Sequence, residues 1–425
     1  MYMKKYLLET IKYALRSYPI IFPYVKKIRK MYEMDAQELS KRNEEQFLKI
    51  FRNAYNKSPF YRYFYQNAGI KEEDIKGIDD IYKLPILTKD MVRKYADDIL
   101  IAPKWTVHAA RTSGTTGTPL CIYENWKSIW ISHAYTYYTR KLNGFTYGER
   151  LVSLRGHLDK NTTHLKVHLS NTLYLSSYNI NKQTIQEYYN RIKKFNPRAI
   201  EGYPSSLFSL ALFLKDANLK LQIPITFTSS ETLLDTQRTL IEEQLGTQIY
   251  DHYGMTEHTI HLNESHDHKG YYEAPGYSIN EYVDDGEIST SLINEAFPLI
   301  RYKTNDIMEL LDIKTGHPQN IIKRIIGRVD EYVICKDGTM VTRIDFIEGG
   351  KHIKACQWIQ RKIGELEILI VPDSGFTDKD LNYVIQETIK KVGTDNMDIT
   401  TKTVEYKDLI YTSRGKFKLI VNLNK

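Results

Sequence analysis

Long uninterrupted apolar runs are missing from this sequence, and so are tracts of a single residue type and internal repeats. The apolar stretch at residues 1–30 is broken by Glu9, Lys12 and Arg16, so it does not have the continuous hydrophobic segment of a signal peptide or a membrane-spanning helix. With 42% hydrophobic and 26% charged residues, the composition is typical of a globular protein rather than a disordered or fibrous one. We therefore expect a protein that buries a sizeable core.

Cysteine is scarce as well. Cys121, Cys335 and Cys356 are too few and too widely spaced to form a disulfide framework. No two of them have the spacing of a metal-binding or redox-active pair. This usage fits a reducing compartment, so we expect a cytoplasmic protein.

Excess positive charge is absent from most of the chain, although the whole sequence carries a formal charge of +7. Residues 1–33 hold eight of the 59 basic residues but two of the 52 acidic ones, which leaves 51 basic and 50 acidic residues elsewhere. Because a nucleic-acid-binding surface needs basic residues over an extended face, we expect no nucleic acid partner. The basic segment is either an amphipathic helix in weak peripheral contact with anionic lipid or a surface helix packed on its own domain; we favour the second.

The 425 residues are enough for one large domain and one small one. Helical patterns alternate with short β-branched or aliphatic runs between residues 151 and 254, which is typical of a layered α/β sheet. Hairpin-like strands follow Gly270, and a small module with one clear helix within residues 377–393 extends to Lys425. We predict an α/β protein with a large layered domain at residues 1–327 and a small, mobile α+β domain at residues 328–425, joined by a hinge over Arg328–Asp330.

The densest polar run is RTSGTTGTPL, at residues 111–120. Glycines let backbone N–H groups approach phosphate oxygens closely and small hydroxyls add donors, so this composition favours a phosphate-binding loop. The run is not a Walker loop, because no Lys-Ser or Lys-Thr pair follows at the required spacing. A polar surface turn is the alternative, and the loop alone does not decide between the two.

Two further segments carry chemistry suited to a nucleotide. YDHYGMTEH offers the ring of Tyr253 for stacking on a base, the hydroxyl of Thr256 for an α-phosphate and the carboxylate of Glu257 for Mg²⁺. In RYKTNDIM, Asp306 follows a strand-like run, where a carboxylate can accept both ribose hydroxyls. A fourth segment, GRVDE, is equally consistent with a charged turn. Each segment alone is a weak signal.

Taken in this order and spacing, the four segments resemble the adenylate-forming superfamily of acyl-CoA synthetases and adenylation domains, over most of the chain. SGTTGTP, YGMTE, YKTND and GRVDE are similar to that family's phosphate loop, Tyr-Gly-x-Thr-Glu motif, ribose-binding aspartate region and hinge. SPFYRYFY, LPILTKD, EGYPSSL and SSETL resemble the phenylacetate–CoA ligase branch and, within it, the CapK-type proteins of capsular polysaccharide biosynthesis. The resemblance implies a large domain of the acyl-CoA synthetase type.

The resemblance also implies a role for each matching residue. It places Lys416, in TSRGKFKLIVN, as the lysine that neutralises charge during adenylation, with Thr256 on the α-phosphate and Glu257 on Mg²⁺. The alternative for Lys416 is a strand-edge surface lysine, because Arg414 and Lys418 carry the same charge nearby. The resemblance places Ser230 and Glu231 in the adenine pocket. The other ATP-binding residues that it implies are Thr112, Ser113, Gly114, Thr115, Thr116, Gly117, Tyr253, Gly254, Asp306 and Arg328.

The implied function is ATP-dependent activation of a carboxylic acid to an acyl-adenylate, with transfer to CoA or to an amine or hydroxyl acceptor, in capsule or cell-surface polysaccharide biosynthesis. ATP and Mg²⁺ are the implied cofactors, and CoA is an optional one. One alternative is a homologue that binds nucleotide without turnover. A zinc site is a weaker alternative, because the segment that would form it holds no cysteine. Its ligands would be His258, His261, His266 and His268.

Overall fold

The computed structural model describes residues 2–111, 120–154, 158, 162–177, 179–312, 321–328, 333–341, 352–411 and 418–423. Within these ranges the α-helices are α1 (Tyr2–Leu15), α2 (Tyr18–Glu33), α3 (Ala36–Lys57), α4 (Pro59–Asn67), α5 (Lys89–Ile99), α6 (Trp126–Leu142), α7 (Ile185–Phe195), α8 (Pro204–Asp216), α9 (Asp235–Leu245) and α10 (Asp378–Val392).

The β-strands of the same ranges fall into three stretches of the chain. The first stretch contains β1 (Val107–Arg111), β2 (Cys121–Asn125), β3 (Leu151–Leu154), β4 (His164–Val167), β5 (Thr172–Leu175), β6 (Ala199–Gly202), β7 (Ile225–Ser229) and β8 (Gln248–Gly254). The second contains β9 (His261–Glu264), β10 (Tyr271–Glu273), β11 (Ser278–Val283), β12 (Gly286–Ser291), β13 (Tyr302–Thr304), β14 (Asp306–Asp312) and β15 (Ile321–Arg328). The third contains β16 (Val333–Ile334), β17 (Met340–Val341), β18 (Ile353–Lys362), β19 (Glu365–Pro372), β20 (Asp398–Thr403) and β21 (Ile420–Asn422).

A ten-stranded sheet forms the centre of the large part of the molecule, in the order β14-β15-β10-β9-β8-β7-β6-β3-β5-β4. The five strands from β8 to β5 in this order pair in parallel, and the strands outside them pair antiparallel. Parallel strands end at the same edge of a sheet, and ligands of such sheets bind beyond the carboxyl ends. The layered α/β fold class that the sequence predicts is therefore confirmed.

Helices α7, α8 and α9 cover the parallel strands with apolar residues at helical spacing. Ile185, Tyr188 and Ile192 form the buried face of α7, and they share one core with the side chains of β3, β5 and β6. Helix α8 starts at Pro204, one residue beyond the end of β6. Proline suits this position because the first N–H groups of a helix have no partner within the helix, so the N–H that proline lacks costs no hydrogen bond. The helices thereby leave the carboxyl edge of the sheet to the connecting loops.

A second apolar core joins α3, α4 and α5 to the small antiparallel sheet β11-β12-β13. Phe47, Phe51 and Tyr61 are completely buried in it. The Tyr61 hydroxyl donates to the carbonyl of Pro298 at 2.8 Å and accepts from the Ile300 amide at 3.1 Å. These bonds fix the segment that leads into β13, which carries residues of the candidate site described below.

The residues from Val333 onwards form a separate α+β unit, as the sequence predicts. Its four-stranded sheet has the order β20-β19-β18-β21, and α10 packs on it over the completely buried Trp358. This unit contacts α8 of the large part through Lys354 Nζ and Asp216 Oδ2, which lie 2.9 Å apart. Of the helices that the structure describes, none is both long and apolar enough to cross a membrane.

Candidate active site

The carboxyl ends of β7 and β8 bring two of the predicted segments together. The strands are neighbours, with Ser229 of β7 opposite His252 of β8. Ser230 and Glu231 follow β7 directly, whereas Gly254 ends β8 and leads into the turn that carries Thr256 and Glu257. Residues that are more than twenty positions apart in sequence therefore share one edge of the sheet.

The backbone after β7 is held in a defined turn. Ser230 has a positive φ of 73°, which is uncommon for a residue other than glycine, and it lies at the surface. A carboxylate oxygen of Glu231 accepts a hydrogen bond at 3.0 Å from the Ser205 amide in the first turn of α8. This bond satisfies one of the N–H groups that a helix leaves unpaired at its start. Glu231 thus joins β7 to α8 at the position of the predicted adenine pocket.

The turn after β8 separates an exposed hydroxyl from a buried carboxylate. Thr256 is exposed, whereas Glu257 is buried and accepts a hydrogen bond from the Tyr302 hydroxyl at 3.4 Å. Gly254 is exposed and passes close to its neighbours, since a Cβ atom there would lie 3.0 Å from Cε1 of His252. A hydroxyl that is accessible and a carboxylate that is fixed suit the predicted contacts to a phosphate and to Mg²⁺.

Asp306 lies beside Tyr253, although 53 residues separate them in the chain. The Tyr253 hydroxyl donates to the Asp306 carboxylate, and Asp306 is buried at the start of β14. Across the sheet, Asp306 faces Arg328, the last residue of β15. The structure therefore places the backbone of the predicted hinge arginine next to the predicted ribose aspartate.

A third carboxylate, Glu287, lies behind these two. Glu287 is completely buried, and Thr304 donates from Oγ1 to its Oε2 at 3.0 Å. Thr304 also accepts from the Asp306 amide at 3.3 Å, so it links the two acidic residues. The other oxygen of Glu287 has no hydrogen-bond partner among the described residues. The sequence reasoning missed Glu287, although it stands directly after the turn of the predicted hairpin DDGEIST.

Burial controls the protonation of this acidic group. It raises the pKa of Glu287 well above the ordinary glutamate value, against the hydrogen bond from Thr304, and the negative charges of Asp306, Glu273 and Glu257 add to the rise. The raised pKa favours the neutral acid form of Glu287. Two further carboxyl groups, Glu257 at the predicted Mg²⁺ position and Asp306 at the predicted ribose position, provide oxygen ligands that fit a magnesium nucleotide.

The predicted phosphate loop connects β1 to β2 in the chain. Its residues Thr112, Ser113, Gly114, Thr115, Thr116 and Gly117 lie outside the described residues. The two strands on either side pair in register up to Arg111 and Cys121. Glu124 of β2 contacts Nε2 of His258, the residue that follows Glu257, so the hairpin is joined to the turn after β8. The proposed role of the loop stays a prediction.

Lys416 also lies outside the described residues, but both flanks of its segment are described. Gln357, completely buried in β18, donates to the carbonyls of Ile410 at 2.8 Å and Lys418 at 2.7 Å, and accepts from the Ile410 amide at 2.8 Å. In the first flank, partial burial and the negative charge of Glu231 raise the pKa of the Tyr411 hydroxyl. Gln357 is a second residue that the sequence reasoning missed.

The four histidines downstream of Glu257 have separate surroundings. His258 also contacts the Tyr277 hydroxyl at 3.2 Å, and His261 is buried against His252, where burial lowers its pKa to about 3. His266 and His268 pack near the ring of Tyr250. Within the described ranges, no group of three or more His, Cys, Asp or Glu residues is arranged to hold a metal ion. The geometry provides no ligand set for the zinc alternative.

Known proteins match the chain in sequence and in fold. A family model described as the CapK C-terminal domain matches residues 333–423. Protein CapK of Staphylococcus aureus is 26% identical over 359 residues, which cover 77% of this chain and 79% of that protein. A phenylacetate-coenzyme A ligase of Pseudomonas putida is 25% identical over 67% of this chain and 69% of its own length.

A solved structure extends the likeness to both parts of the molecule. The 2-hydroxyisobutyryl-CoA ligase in its postadenylation state superposes with a TM-score of 0.68 at 16% identity, covering 92% of this chain and 90% of that one. At this identity the likeness is one of fold. It covers the ten-stranded sheet together with the small α+β unit.

Proposed function

Because the chain is an acid–CoA ligase-like enzyme of the adenylate-forming superfamily, in the branch of CapK and the phenylacetate–CoA ligases, we propose that it activates a carboxylic acid with ATP. The product of this first step is an acyl-adenylate. A thiol, with CoA the leading candidate, or an amine or hydroxyl group then takes the acyl group. CoA leads because it is the acceptor of the similar phenylacetate-coenzyme A ligases.

One observation carries the proposal: the buried Glu257 follows the carboxyl end of β8, next to the exposed Thr256, and the Tyr253 hydroxyl of the same strand donates to the buried Asp306. This is the donor set that the sequence motifs require for Mg²⁺, ribose and α-phosphate. Ser230 and Glu231 lie at the neighbouring strand end, where they line the proposed adenine pocket. Carboxyl strand ends of this kind are the usual ligand-binding edge of a parallel sheet.

In the first step, a carboxylate oxygen of the acid attacks the α-phosphorus of ATP. A P–O bond forms and the bond to pyrophosphate breaks. Negative charge grows on the α-phosphate in the transition state, and we assign its stabilisation to the Thr256 hydroxyl and the Lys416 ammonium group. Glu257 would hold Mg²⁺, which would supply further neutralisation of the phosphate charge. The donors of residues 112–117 bind the phosphates that leave.

In the second step, the acceptor attacks the acyl carbon and AMP leaves, with the acceptor proton released. We propose that the small unit turns about Arg328–Asp330 between the two steps, so that Lys416 serves only the first. Two states of the 2-hydroxyisobutyryl-CoA ligase support this view. The postadenylation state matches this chain with a TM-score of 0.68, whereas the thioesterification state, at 16% identity and 92% coverage, matches with 0.58.

The likeness to CapK extends the proposal to a biological setting. The small unit, from residue 333 to 423, matches the CapK C-terminal model, and CapK itself aligns with 77% of the chain. We therefore propose that the acid or its acceptor belongs to cell-surface polysaccharide biosynthesis. Amino, aryl, uronic and short aliphatic acids are the classes to be tried.

A screen of acid-dependent exchange of labelled pyrophosphate into ATP tests the proposal. Each acid class is assayed with and without CoA, and Asp306→Asn is run beside the wild type as a variant with an impaired nucleotide site. Exchange with one class, independent of CoA, and AMP release that requires an acceptor are the expected results. ATP binding without exchange for any class would favour the alternative of a homologue that binds nucleotide without turnover.

A further inference from the structure

Helix α1 is fixed to the large part of the molecule by one face. Tyr6 packs on the apolar cluster around Leu165 of β4, and the Tyr13 ring stacks on Tyr147 with 5.8 Å between ring centroids. At the end of the helix, Trp130 Nε1 donates to the Leu15 carbonyl at 2.9 Å. The helix is therefore a docked surface helix, as the favoured sequence interpretation predicts.

On the opposite side of α1, four apolar side chains of the described residues face solvent. Leu7, Leu8, Ile11 and Leu15 are 57%, 49%, 47% and 41% exposed. At 3.6 residues per turn they fall within an arc of about 100° on the helix surface. Scattered exposed leucines are ordinary, but four on one face of a single helix form a contiguous patch of the kind that marks an interaction surface. We call it the α1 face.

The chain segment that contains the α1 face is also rich in basic residues. The helix that follows, α2, packs on α6 with Ile21, Val25 and Ile28, and its exposed surface carries Lys26 and Lys27 together with Arg29 and Lys30. Residues 1–33 hold eight basic residues and two acidic ones, whereas the rest of the chain is nearly balanced. The exposed apolar patch thus belongs to the one strongly positive segment of the molecule.

We propose that the α1 face docks on a membrane surface rich in anionic phospholipid. The aliphatic side chains would enter the boundary between headgroups and acyl chains, and the lysines would meet the phosphates. Charge decides against a second copy of the chain as the occupant, because a symmetric contact through this face would bring two positive segments together. The proposal does not depend on the reaction at the candidate active site.

Sedimentation of the full chain with vesicles tests this proposal. We expect binding to vesicles of phosphatidylglycerol mixed with phosphatidylcholine, and little binding to phosphatidylcholine alone. The double variant Leu8→Glu with Ile11→Glu should weaken binding by at least about tenfold, because it removes two aliphatic side chains from the interface. Replacing Lys26 and Lys27 by Gln should weaken it by about fivefold for each lysine, and by less in high salt.

Ile363→Glu is the matched control, since Ile363 is 51% exposed on the turn between β18 and β19 of the small unit. It should leave vesicle binding unchanged. Equal unfolding temperatures and equal pyrophosphate exchange would show that all variants are folded. Equal binding by wild type and the double variant would overturn the proposal. The proposal would also be overturned if the wild type formed a dimer that does not bind vesicles and the double variant were a monomer.

Discussion

The two sides of the candidate active site are built from different interactions. On the large-domain side, Glu257, Asp306 and Glu287 are buried close together, and hydroxyl groups of neighbouring strands hold them in place. On the small-domain side, the uncharged Gln357 ties both flanks of the Lys416 segment to β18 through backbone hydrogen bonds. The acidic groups are thus held by hydroxyl groups of the large part, whereas the flanks of the Lys416 segment are bonded to β18 through an uncharged side chain.

This difference assigns separate tasks to the two sides. Carboxylates in a dry environment interact strongly with a metal ion and with ribose, but they cannot move without losing their hydroxyl partners. On the small unit, the neutral side chain of Gln357 holds both flanks of the Lys416 segment without adding a charge. Substitutions on the two sides should therefore have different effects on the reaction.

The largest effect is expected on the small-domain side. Lys416→Ala should lower acid-dependent pyrophosphate exchange by about a hundredfold or more, because a charge that stabilises the transition state is lost. Transfer from a synthetic acyl-adenylate to the acceptor should continue at the wild-type rate. Lys418→Ala is the control, because it removes a charge from the same segment, and it should exchange pyrophosphate at the wild-type rate. Equal losses in both half-reactions would refute the assignment of Lys416 to the first step.

On the large-domain side, Asp306→Asn should raise the KM for ATP by about tenfold, because the amide cannot accept both ribose hydroxyls as a charged group does. Steady-state exchange kinetics over a range of ATP concentrations measure this change. Glu309→Gln lies on the same strand at the surface, paired with Lys323 and Arg324, and should leave the KM unchanged. An unaltered KM in Asp306→Asn would remove the ribose role.

The clamp on the small domain should have an intermediate effect. Gln357→Met removes three hydrogen bonds to the backbone of Ile410 and Lys418, so it should destabilise the protein by about 2 kcal/mol. It should also slow exchange by about fivefold relative to acyl transfer. Gln360 is an equally buried glutamine on the same strand, bonded to Ile334 instead.

Gln360→Met is therefore the matched control for Gln357→Met. Gln360→Met should cause a similar loss of stability, because it removes the hydrogen bonds of Gln360 to the backbone of Ile334. The ratio of exchange to acyl transfer should stay at the wild-type value. If both variants changed this ratio equally, Gln357 would have a structural role and no positioning one.

The smallest effect concerns pH and the buried acid. The pKa of Glu287 is raised, so its contribution to stability is complete below about pH 4, near the ordinary glutamate value, and is lost as the pH rises through the folded-state value. A glutamine at position 287 does not titrate, so its contribution to stability does not depend on pH. Glu287→Gln should match wild type in acid and exceed its unfolding free energy by roughly 1 kcal/mol in alkaline buffer. Urea unfolding across this pH range measures the difference, and a constant difference at every pH would contradict the buried-acid interpretation.

Contiguous motifs were the part of the site that could be predicted from sequence. Tyr253, Thr256 and Glu257 lie within five residues, so their order is visible in a single segment. Alternating helical and β-branched patterns likewise predicted the layered sheet, because periodicity reports directly which face of an element is buried. The separate α+β unit with its one helix, α10, was predicted for the same reason.

Residues whose surroundings depend on strand pairing could not be predicted in this way. Glu287 meets Thr304 only because β12 and β13 pair in that register. Gln357 stands between Cys356 and Trp358, and its partners come from residues more than fifty positions away. A single sequence does not encode such pairings in any local pattern. A glutamine between two apolar residues was the available signal.

The central claim is that the chain joins its acid to the α-phosphate of ATP. The most direct test uses an acid with heavy oxygen in its carboxylate, the preferred acceptor and MgATP, with mass analysis of the products. The account predicts one heavy oxygen in AMP for each acyl transfer, because the attacking carboxylate oxygen stays on the α-phosphorus when AMP leaves. Heavy oxygen in inorganic phosphate, with ADP as the nucleotide product, would contradict it.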